Sequence, residues 1–436
     1  MTAASRAAEE ALEPFRPDVD GPWDARAAAH LLRRASFGGT REERAQVLAW
    51  GPPRAVEELV ACPAIEGEYA RTLAALAPLV SVNSLPVFRS IWLTRMLRDP
   101  RPLREQLALF WHGHFATSIA KARGPDLMAA QVDTLRELGP GPFGALLAAV
   151  ARDPAMIRWL DGNGNRARHP NENFARELLE LFTLGVGHYA ERDVREAARA
   201  FSGWHEQDGH FRFDAGEHDG GDKQVLGRTG ALDGDDVLAA CLEQPACGEH
   251  VGGRLFRAFV HDAPAPALLA VIGARYRESG YDTLALLRLL LGSRECFGAR
   301  ARRRLVRSPV ALAVGVARTL GLRPDTTELG GRLADLGQGL YEPPSVKGWD
   351  GGHAWLNAAT LVGRMNLASR LATAAPALPA VDPALVRDGR PDVDALLDLL
   401  VDGEVPEEVR KRLAESALPL PQLVHVVLSL PEAQLS

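Results

Sequence analysis

A polar stretch in the middle of the chain has the spacing of a calcium-binding loop. Asp161, Asn163 and Asn165 alternate with other residues, and Glu172 is the twelfth residue counted from Asp161. In a helix–loop–helix calcium site, oxygen ligands at the first, third, fifth and twelfth positions converge on one cation. Arg166 takes the sixth position, where the sharp turn of such a loop needs glycine. The stretch predicts either a calcium-like divalent-cation site or a polar loop between two helices.

The next segment, 172–184, has helical periodicity with one polar face. Glu172, Arg176, Glu177 and Glu180 fall on one side of that helix, and apolar residues fall on the other. Glu177 and Glu180 are one turn apart, so they could bind a metal or share a proton. The same face is equally typical of a solvated helix surface with ion pairs between residues four apart.

Two histidines lie beside aromatic residues in the segment WHGHF, residues 111–115. On a helix, His112 and His114 point about 200° apart, so they cannot hold one ion together. One of them could enter a pocket and act as a general base. The alternative is that both are packed in the core, which is the commoner situation for such a histidine.

Two loops carry the remaining polar candidates. His218, Asp219 and Lys223 lie near the tip of an expected hairpin, where they could bind a phosphate, a carboxylate or a metal, although turns are ordinarily polar. Lys347 and Trp349 belong to a loop with several prolines and glycines. Such a loop either packs under a domain or forms the wall of a pocket.

These segments together resemble an uncharacterised bacterial family, domain of unknown function 1800, over about residues 24–370. The resemblance is carried, in chain order, by HLLRRASFGG (30–39), FWHGHFATS (110–118), PNENFARELLELFTLG (170–185), AFSGW (200–204), His218-Asp219 with Lys223, Leu226-Gly227, Ser308-Pro309 and VKGW (346–349). It implies little about activity. It does imply that relatives are often exported and often encoded beside a sulfatase-like protein.

A shorter resemblance concerns LALFWHGHFATS, residues 107–118, which is similar to the distal-histidine helix of animal-type haem peroxidases. An arginine and a proximal histidine at suitable spacing do not follow it. A haem-dependent, peroxidase-like protein is therefore the third and least favoured hypothesis.

The elements that must position these residues are almost all helical. Periodicity and capping signals predict helices at 24–36, from Thr40 with Glu43 as a capping box, within 85–122, and at 125–138, 143–151, 172–184, 191–203, 233–243, 250–260, 283–293 and 308–320. Alternation around Phe211 and Phe213, followed by Val225, predicts one small β-hairpin within 209–228. The fold class is all-α, or mainly α, with that hairpin.

The expected organisation is one large helical domain with short appendages. We expect an N-terminal extension at 1–22, a helical core at 23–372, a linker rich in Ala, Pro and Asp at 373–392, and a helical C-terminal tail at 393–436.

Composition narrows the function classes. A net charge of −6 over 436 residues gives no general attraction to nucleic acid. No run approaches the roughly 18 apolar residues needed to span a bilayer. Met1–Asp18 lacks the apolar stretch of a secretion signal, so we expect a cytoplasmic protein. Lysine makes up four of the fifty basic residues, an arginine bias that indicates a GC-rich genome.

The leading hypothesis is an enzyme that acts on an unidentified small molecule. A histidine or a carboxylate would be the general base, with or without a divalent ion, and Arg176 or Lys223 would hold an anionic group of the substrate. The catalytic candidates are His112, His114, Arg176, Glu177, Glu180, His218, Asp219 and Lys223; the substrate-binding candidates are Trp204, Lys347 and Trp349; the metal candidates are Asp161, Asn163, Asn165 and Glu172. The rival is a non-catalytic scaffold or ligand-binding protein whose motif residues form a buried polar network.

Overall fold

The computed structural model describes residues 3–373 and 378–436. Helices dominate it, which confirms the mainly α fold class. Before residue 160 the helices are α1 (Ala3–Ala11), α2 (Ala25–Ser36), α3 (Arg41–Trp50), α4 (Pro52–Val60), α5 (Gly67–Leu76), α6 (Leu85–Arg98), α7 (Leu103–His114), α8 (Ile119–Ala122), α9 (Pro125–Leu138), α10 (Phe143–Ala151) and α11 (Pro154–Trp159).

The second part of the chain continues the helical pattern. Its helices are α12 (Asn173–Glu177), α13 (Glu191–Ala200), α14 (Gly234–Glu243), α15 (Pro245–Phe259), α16 (Pro266–Glu278), α17 (Thr283–Leu291), α18 (Arg294–Phe297), α19 (Pro309–Thr319), α20 (Thr326–Asp335), α21 (Ala358–Ala372), α22 (Leu378–Val381), α23 (Val393–Val401), α24 (Glu407–Glu415) and α25 (Leu420–Ser429). Short 3₁₀ turns occupy Ala77–Val82, Gly162–Gly164, Gly352–Trp355, Pro383–Leu385 and Pro431–Gln434.

Capping residues explain where several helices begin. The predicted capping box is present at α3, where the Thr40 side chain accepts from the Glu43 amide and the Glu43 side chain accepts from the Thr40 amide. Asp24 caps α2, and Ser308 with Pro309 starts α19. The long helical pattern at 85–122 is broken into α6, α7 and α8. Pro100 and Pro102 interrupt it between α6 and α7, and Ser118 caps the start of α8 after a break at 115–118.

The strands form small antiparallel hairpins, and the pairing differs from the prediction. β1 (Trp204–Gln207) pairs with β2 (His210–Phe213), and β3 (Lys223–Val225) pairs with β4 (Arg228–Gly230). The expected single hairpin is therefore two hairpins. Each has a two-residue turn with both residues at positive φ, Asp208-Gly209 and Leu226-Gly227, a geometry that closes tight hairpins.

A third, two-residue pair lies near the C-terminal helices. β5 (Val386–Arg387) pairs with β6 (Arg390–Pro391). These strands belong to the expected linker 373–392, of which residues 374–377 lie outside the described residues. The described part is tied back to α3 by the ion pair between Arg41 and Asp382, at 2.9 Å.

The buried apolar residues form two clusters, and helix α7 contributes to both. Leu107 and Trp111 belong to the first cluster, which also takes in residues of α1, α10 and α15. Ala108 belongs to the second cluster, together with residues of α6, α19, α23 and α25. The segments expected as an N-terminal extension and a C-terminal tail thus supply core residues, although the domain boundaries themselves remain predictions.

A buried ion pair connects the two ends of the chain. Arg33 of α2 donates to both carboxylate oxygens of Asp402, with one bond of 2.9 Å, and Asp402 follows the last residue of α23. Arg303 and Arg44 approach the same carboxylate at 3.5 and 3.9 Å. Burial raises the pKa of Asp402, but these arginines, Arg33 foremost, hold it well below its usual range.

Removing the Asp402 charge is expected to unfold the protein more easily. In Asp402→Asn the buried Arg33 loses the one carboxylate that pairs with it among the described residues, which should lower the free energy of unfolding by about 3–5 kcal/mol. Asp394→Asn is the matched control, because Asp394 pairs with Arg410 at the surface and its loss should cost less than about 1 kcal/mol. Urea unfolding of both variants measures the difference; equal losses would contradict it.

Candidate functional site

His112 lies on α7 with its side chain fully buried. Its Nε2 accepts a hydrogen bond from the Tyr341 amide at 3.2 Å, so its proton is on Nδ1, which has no partner in the described residues. The ring packs against Trp92, Tyr341 and Trp349. Burial lowers the pKa of His112 to about 3. The imidazole is therefore neutral at physiological pH, and it packs edge-on against the Trp349 ring.

His114 is buried two residues further along α7, on the opposite side of the helix, and it bonds to an irregular helix. A π-helix, Leu178–Thr183, continues α12 and leaves the carbonyls of Leu181 and Phe182 turned toward two histidines. The His114 Nε2 donates to the Phe182 carbonyl at 3.0 Å, and the His250 Nε2 donates to the Leu181 carbonyl at 2.9 Å. Burial, followed by the charge of Arg254, lowers the pKa of His114 well below its usual range.

The helix predicted at 172–184 is a short α12 followed by the π-helix, and its predicted polar face is present and partly paired. Arg176 bridges Glu172 at 3.0 Å and Glu191 at 2.8 Å, and the Tyr189 hydroxyl donates to Glu180 at 2.7 Å. Lys347 also reaches this face. Burial and the neighbouring Glu180 raise the pKa of Glu177, whereas the charges of Arg176 and Lys347 lower it. The chain thus brings Arg176, Glu177, Glu180 and Lys347 together.

His218, Asp219 and Lys223 form a second cluster, built around Arg199. Arg199 donates to Asp219 at 2.7 Å, and the His218 Nδ1 donates to the Ser202 carbonyl at 2.9 Å. Lys223 is buried and donates to the carbonyls of Asp219 and Gly221. His218, Asp219 and Lys223 therefore form hydrogen bonds and an ion pair within this turn and with Arg199 and Ser202 beside it.

Trp204, the remaining candidate of this region, is also packed. The Arg152 guanidinium lies over its ring at 4.4 Å, and the rings of Phe201 and Phe211 meet it edge-on.

The four metal candidates each have different partners. Asp161 pairs with Lys121 at 2.6 Å, Asn163 exchanges hydrogen bonds with the Glu206 backbone, and the Asn165 side chain bonds the Ala198 carbonyl and the Asn171 amide. Glu172 takes the ion pair with Arg176. Within residues 3–373 and 378–436, no three His, Cys, Asp or Glu side chains lie close enough to hold a metal ion. The calcium-like site stays a prediction, testable by elemental analysis of the purified protein.

A cleft of about 550 Å³ lies where α2, α7 and α15 meet the loop after α20. Five arginines line it, and we call it the arginine cleft: Arg33, Arg34, Arg254, Arg257 and Arg307. Its aromatic lining consists of Phe37, Phe110, Phe259, Trp349 and Trp355. The segments 30–39, 110–118, 308–309 and 346–349, which lie far apart in the sequence, all contribute to its wall.

The five arginines differ in how their charges are compensated. Arg33 is bound to Asp402, and Arg34 donates to the Ala301 carbonyl at 2.8 Å and to Ser436. Arg307 is 8% exposed, yet its guanidinium has no hydrogen bond or ion pair to any described residue. Burial, then Arg33 and Arg303, lowers the pKa of Arg307 well below its usual range.

Arg254 repeats this pattern on α15. It is half-buried, lines the cleft, and likewise lacks an acceptor in the described part of the chain. Burial, followed by the charge of Arg257, lowers the pKa of Arg254 to about 10. Arg254 and Arg307 therefore both keep donors free, and Arg307 does so in a residue that is only 8% exposed.

Two glycines fix the loop that carries Trp349 against α7. Gly348 has φ +82°, and a Cβ atom there would lie 2.2 Å from the Gly113 carbonyl oxygen. A Cβ atom on Gly113 would in turn lie 3.5 Å from the Trp349 ring. The backbones of FWHGHFATS and VKGW thus touch directly, and this contact sets one wall of the cleft.

Comparison with known families agrees with these shared segments. The profile of a family described as a protein of unknown function, DUF1800, matches residues 30–435. The chain belongs to the DUF1800 family. The match covers nearly the whole chain and confirms the resemblance seen in the sequence. No curated protein and no solved structure matches this DUF1800 protein.

The arginines of the cleft were missed by reasoning from the sequence. In this DUF1800 protein arginine is abundant throughout the sequence. Arg254 and Arg307 lie in segments that mix apolar and charged residues, as many surface arginines do. One signal was available, since Arg33 and Arg34 lie on the face of α2 that also carries apolar residues. Adjacent arginines buried on such a helix indicate either a partner carboxylate or a ligand.

Replacing Gly348 by alanine is expected to destabilise the DUF1800 protein strongly. Gly351→Ala is the matched control, because Gly351 also has positive φ but has open space where its Cβ would lie. The control should cost about 1–2 kcal/mol of backbone strain. Gly348→Ala should cost about 2 kcal/mol more, from the clash with Gly113. Thermal unfolding of both variants checks this; similar midpoints would refute the close contact.

Acidification is expected to destabilise the protein partly through His112. The unfolded histidine takes up a proton near pH 6.5, whereas the native one, with its pKa of about 3, does not. Its contribution is therefore complete above pH 6.5 and is lost as the pH falls toward 3. The free energy of unfolding of His112→Gln should fall about 2 kcal/mol less than wild type between pH 7 and pH 5. Exposed His210→Gln serves as the control, and an unchanged pH profile in His112→Gln would contradict the prediction.

Proposed function

We propose that this DUF1800 protein binds an organic anion in the arginine cleft. The observation that carries the proposal is Arg307, a residue only 8% exposed whose guanidinium lines the cleft without an acceptor among the described residues. Burying an unpaired charge costs several kcal/mol, so such a group is rare unless a ligand completes it. A carboxylate or a phosphate is the group that best matches the planar donors of arginine.

The lining also suits an organic body attached to the anion. Phe110, Phe259, Trp349 and Trp355 supply apolar and aromatic surface in the same cleft. Small-molecule sites commonly combine such surfaces with a few polar groups that fix orientation. Gln106 and Gln338 add amide groups for hydroxyl or carbonyl groups of the ligand. An inorganic ion alone would leave most of this surface unused.

An enzyme acting on that anion is the second candidate. Asp262 and Asp350 line the same cleft, so a carboxylate is available for proton transfer beside the bound group. His112 and His114 do not line it, but they contact two residues that do, Trp349 and Phe110. The acid–base role first assigned to the histidines is therefore better proposed for these aspartates.

The remaining expectations concern the location of the protein in the cell and its partner protein. No helix among the described residues combines the length and apolar character needed to cross a bilayer. The cytoplasmic location and a sulfatase-like partner encoded nearby stay proposals, the second resting on the family resemblance. Cell fractionation and co-purification test them separately.

Arg307→Gln is expected to separate binding from stability. Wild-type protein should be stabilised against heat by inorganic phosphate or citrate in the millimolar range, whereas the variant should bind them about tenfold more weakly or worse. Without added anion, the variant should be more stable than wild type by on the order of 1 kcal/mol, because an unpaired buried charge is gone.

Arg304→Gln is the matched control, because Arg304 is exposed, lies three residues away and does not line the cleft. Calorimetric titration and thermal unfolding provide both readouts. The proposal fails if neither anion stabilises the wild type, or if Arg304→Gln weakens binding as much as Arg307→Gln.

A further inference from the structure

The arginines of the cleft fall into two groups on different elements. Arg33 and Arg34 belong to α2, and Arg307 directly precedes the cap of α19; the charge of Arg33 acts on both Arg34 and Arg307. The other group is Arg254 and Arg257, one turn apart on α15. The pKa of Arg254 is lowered by burial and by Arg257, and the first group is not among its causes.

Helix α7 runs past both groups and gives the distance between them. At one end, the Gln106 amide donates to the Arg33 carbonyl at 3.4 Å. At the other end, the His114 ring lies 6.3 Å from the ring of His250, and Arg254 is one turn from His250 on α15. Eight residues of α-helix separate Gln106 from His114, which corresponds to about 12 Å at 1.5 Å per residue.

The helix surface between the two groups is apolar. Phe110 lies one turn from Gln106 and one turn from His114, and it lines the cleft. Its ring stacks on His114 with centroids 6.0 Å apart and meets Phe259 at 6.3 Å. Leu109 and Trp349 extend this surface. A single compact anion can satisfy one arginine group but cannot span this surface to reach the other.

We propose that the ligand is an elongated organic dianion that lies across Phe110, with one carboxylate or phosphate at Arg307 and the other at Arg254. The inference rests on the proposed function and adds the shape and charge spacing of the ligand. Each end meets an arginine that has no acceptor in the described residues. We expect the two anionic groups to be about 10–12 Å apart, which is the length of α7 between Gln106 and His114.

The aspartates of the cleft fit this arrangement without competing for the anions. Neither Asp262 nor Asp350 forms an ion pair with any of the five cleft arginines, within the part of the chain that is described. They are therefore available as acceptors for hydroxyl or ammonium groups on the body of the ligand. Their charges also disfavour a third anionic group between the two ends.

Three aromatic acids provide the probes for calorimetric titration. Biphenyl dicarboxylate with its acids at the two para ends has the predicted span; terephthalate is a shorter dianion, and biphenyl monocarboxylate has the long body with one charge. The long dianion is expected to bind wild-type protein at least about tenfold more tightly than either of the others, because the second contact becomes intramolecular.

Arg307→Gln and Arg254→Gln should each reduce the affinity for the long dianion to about that of the monocarboxylate, while Arg304→Gln should leave it unchanged. Thermal unfolding of each variant verifies that it is folded. Equal binding of all three probes to wild type, or loss of affinity in Arg307→Gln alone, would overturn the two-ended ligand and leave the proposed function standing. Unchanged affinity in both variants would overturn the proposed function as well.

Discussion

One buried carboxylate organises the charges on which the rest of the structure depends. Asp402 is the anion that Arg33, Arg44 and Arg303 share, and it joins the end of α23 to helix α2 near the other end of the chain. A carboxylate can take few strong guanidinium contacts, and Arg33 occupies both of its oxygens. Burial lowers the pKa of Arg307 and the Asp402 charge raises it, but the two side chains form no hydrogen bond or ion pair. Because Asp402 is bound to Arg33, Arg307 is left, within the described chain, without an acceptor at the edge of the cleft.

The two histidines that look most catalytic in the sequence bond to the backbone of distant segments. His112 and His114 are neutral and buried. A neutral imidazole can accept or donate one such bond without carrying charge into the core, which an arginine or a carboxylate cannot do. Aromatic rings and histidines on α7 thus set the position of the cleft wall, and the charges in the cleft come from other helices.

Local rules predicted the helices well, but they did not predict the arginine cleft. The helices at 125–138 and 143–151 have the expected bounds, because a helix start depends on a few neighbouring residues. The prediction of one hairpin within 209–228 was wrong, because the Asp208-Gly209 turn pairs β2 with β1, and β3 pairs with β4 instead. The cleft could not be foreseen in the same way. Arg34, Arg254 and Arg307 are far apart in the sequence, and each alone resembles a surface arginine; only the packing of α2, α15 and the start of α19 shows that they share one cavity.

The distribution of unpaired charge argues for function over packing. In a purely structural network each buried charge would find an acceptor, as Arg33, Arg34 and Arg364 do in this core. Arg307 lies among these residues, is nearly as buried, and still faces open space in the cleft. If packing alone determined this position, an apolar side chain would stabilise the fold more. A bound anion would offset the cost of keeping an unpaired charge at this position, and this supports the ligand proposed at Arg307.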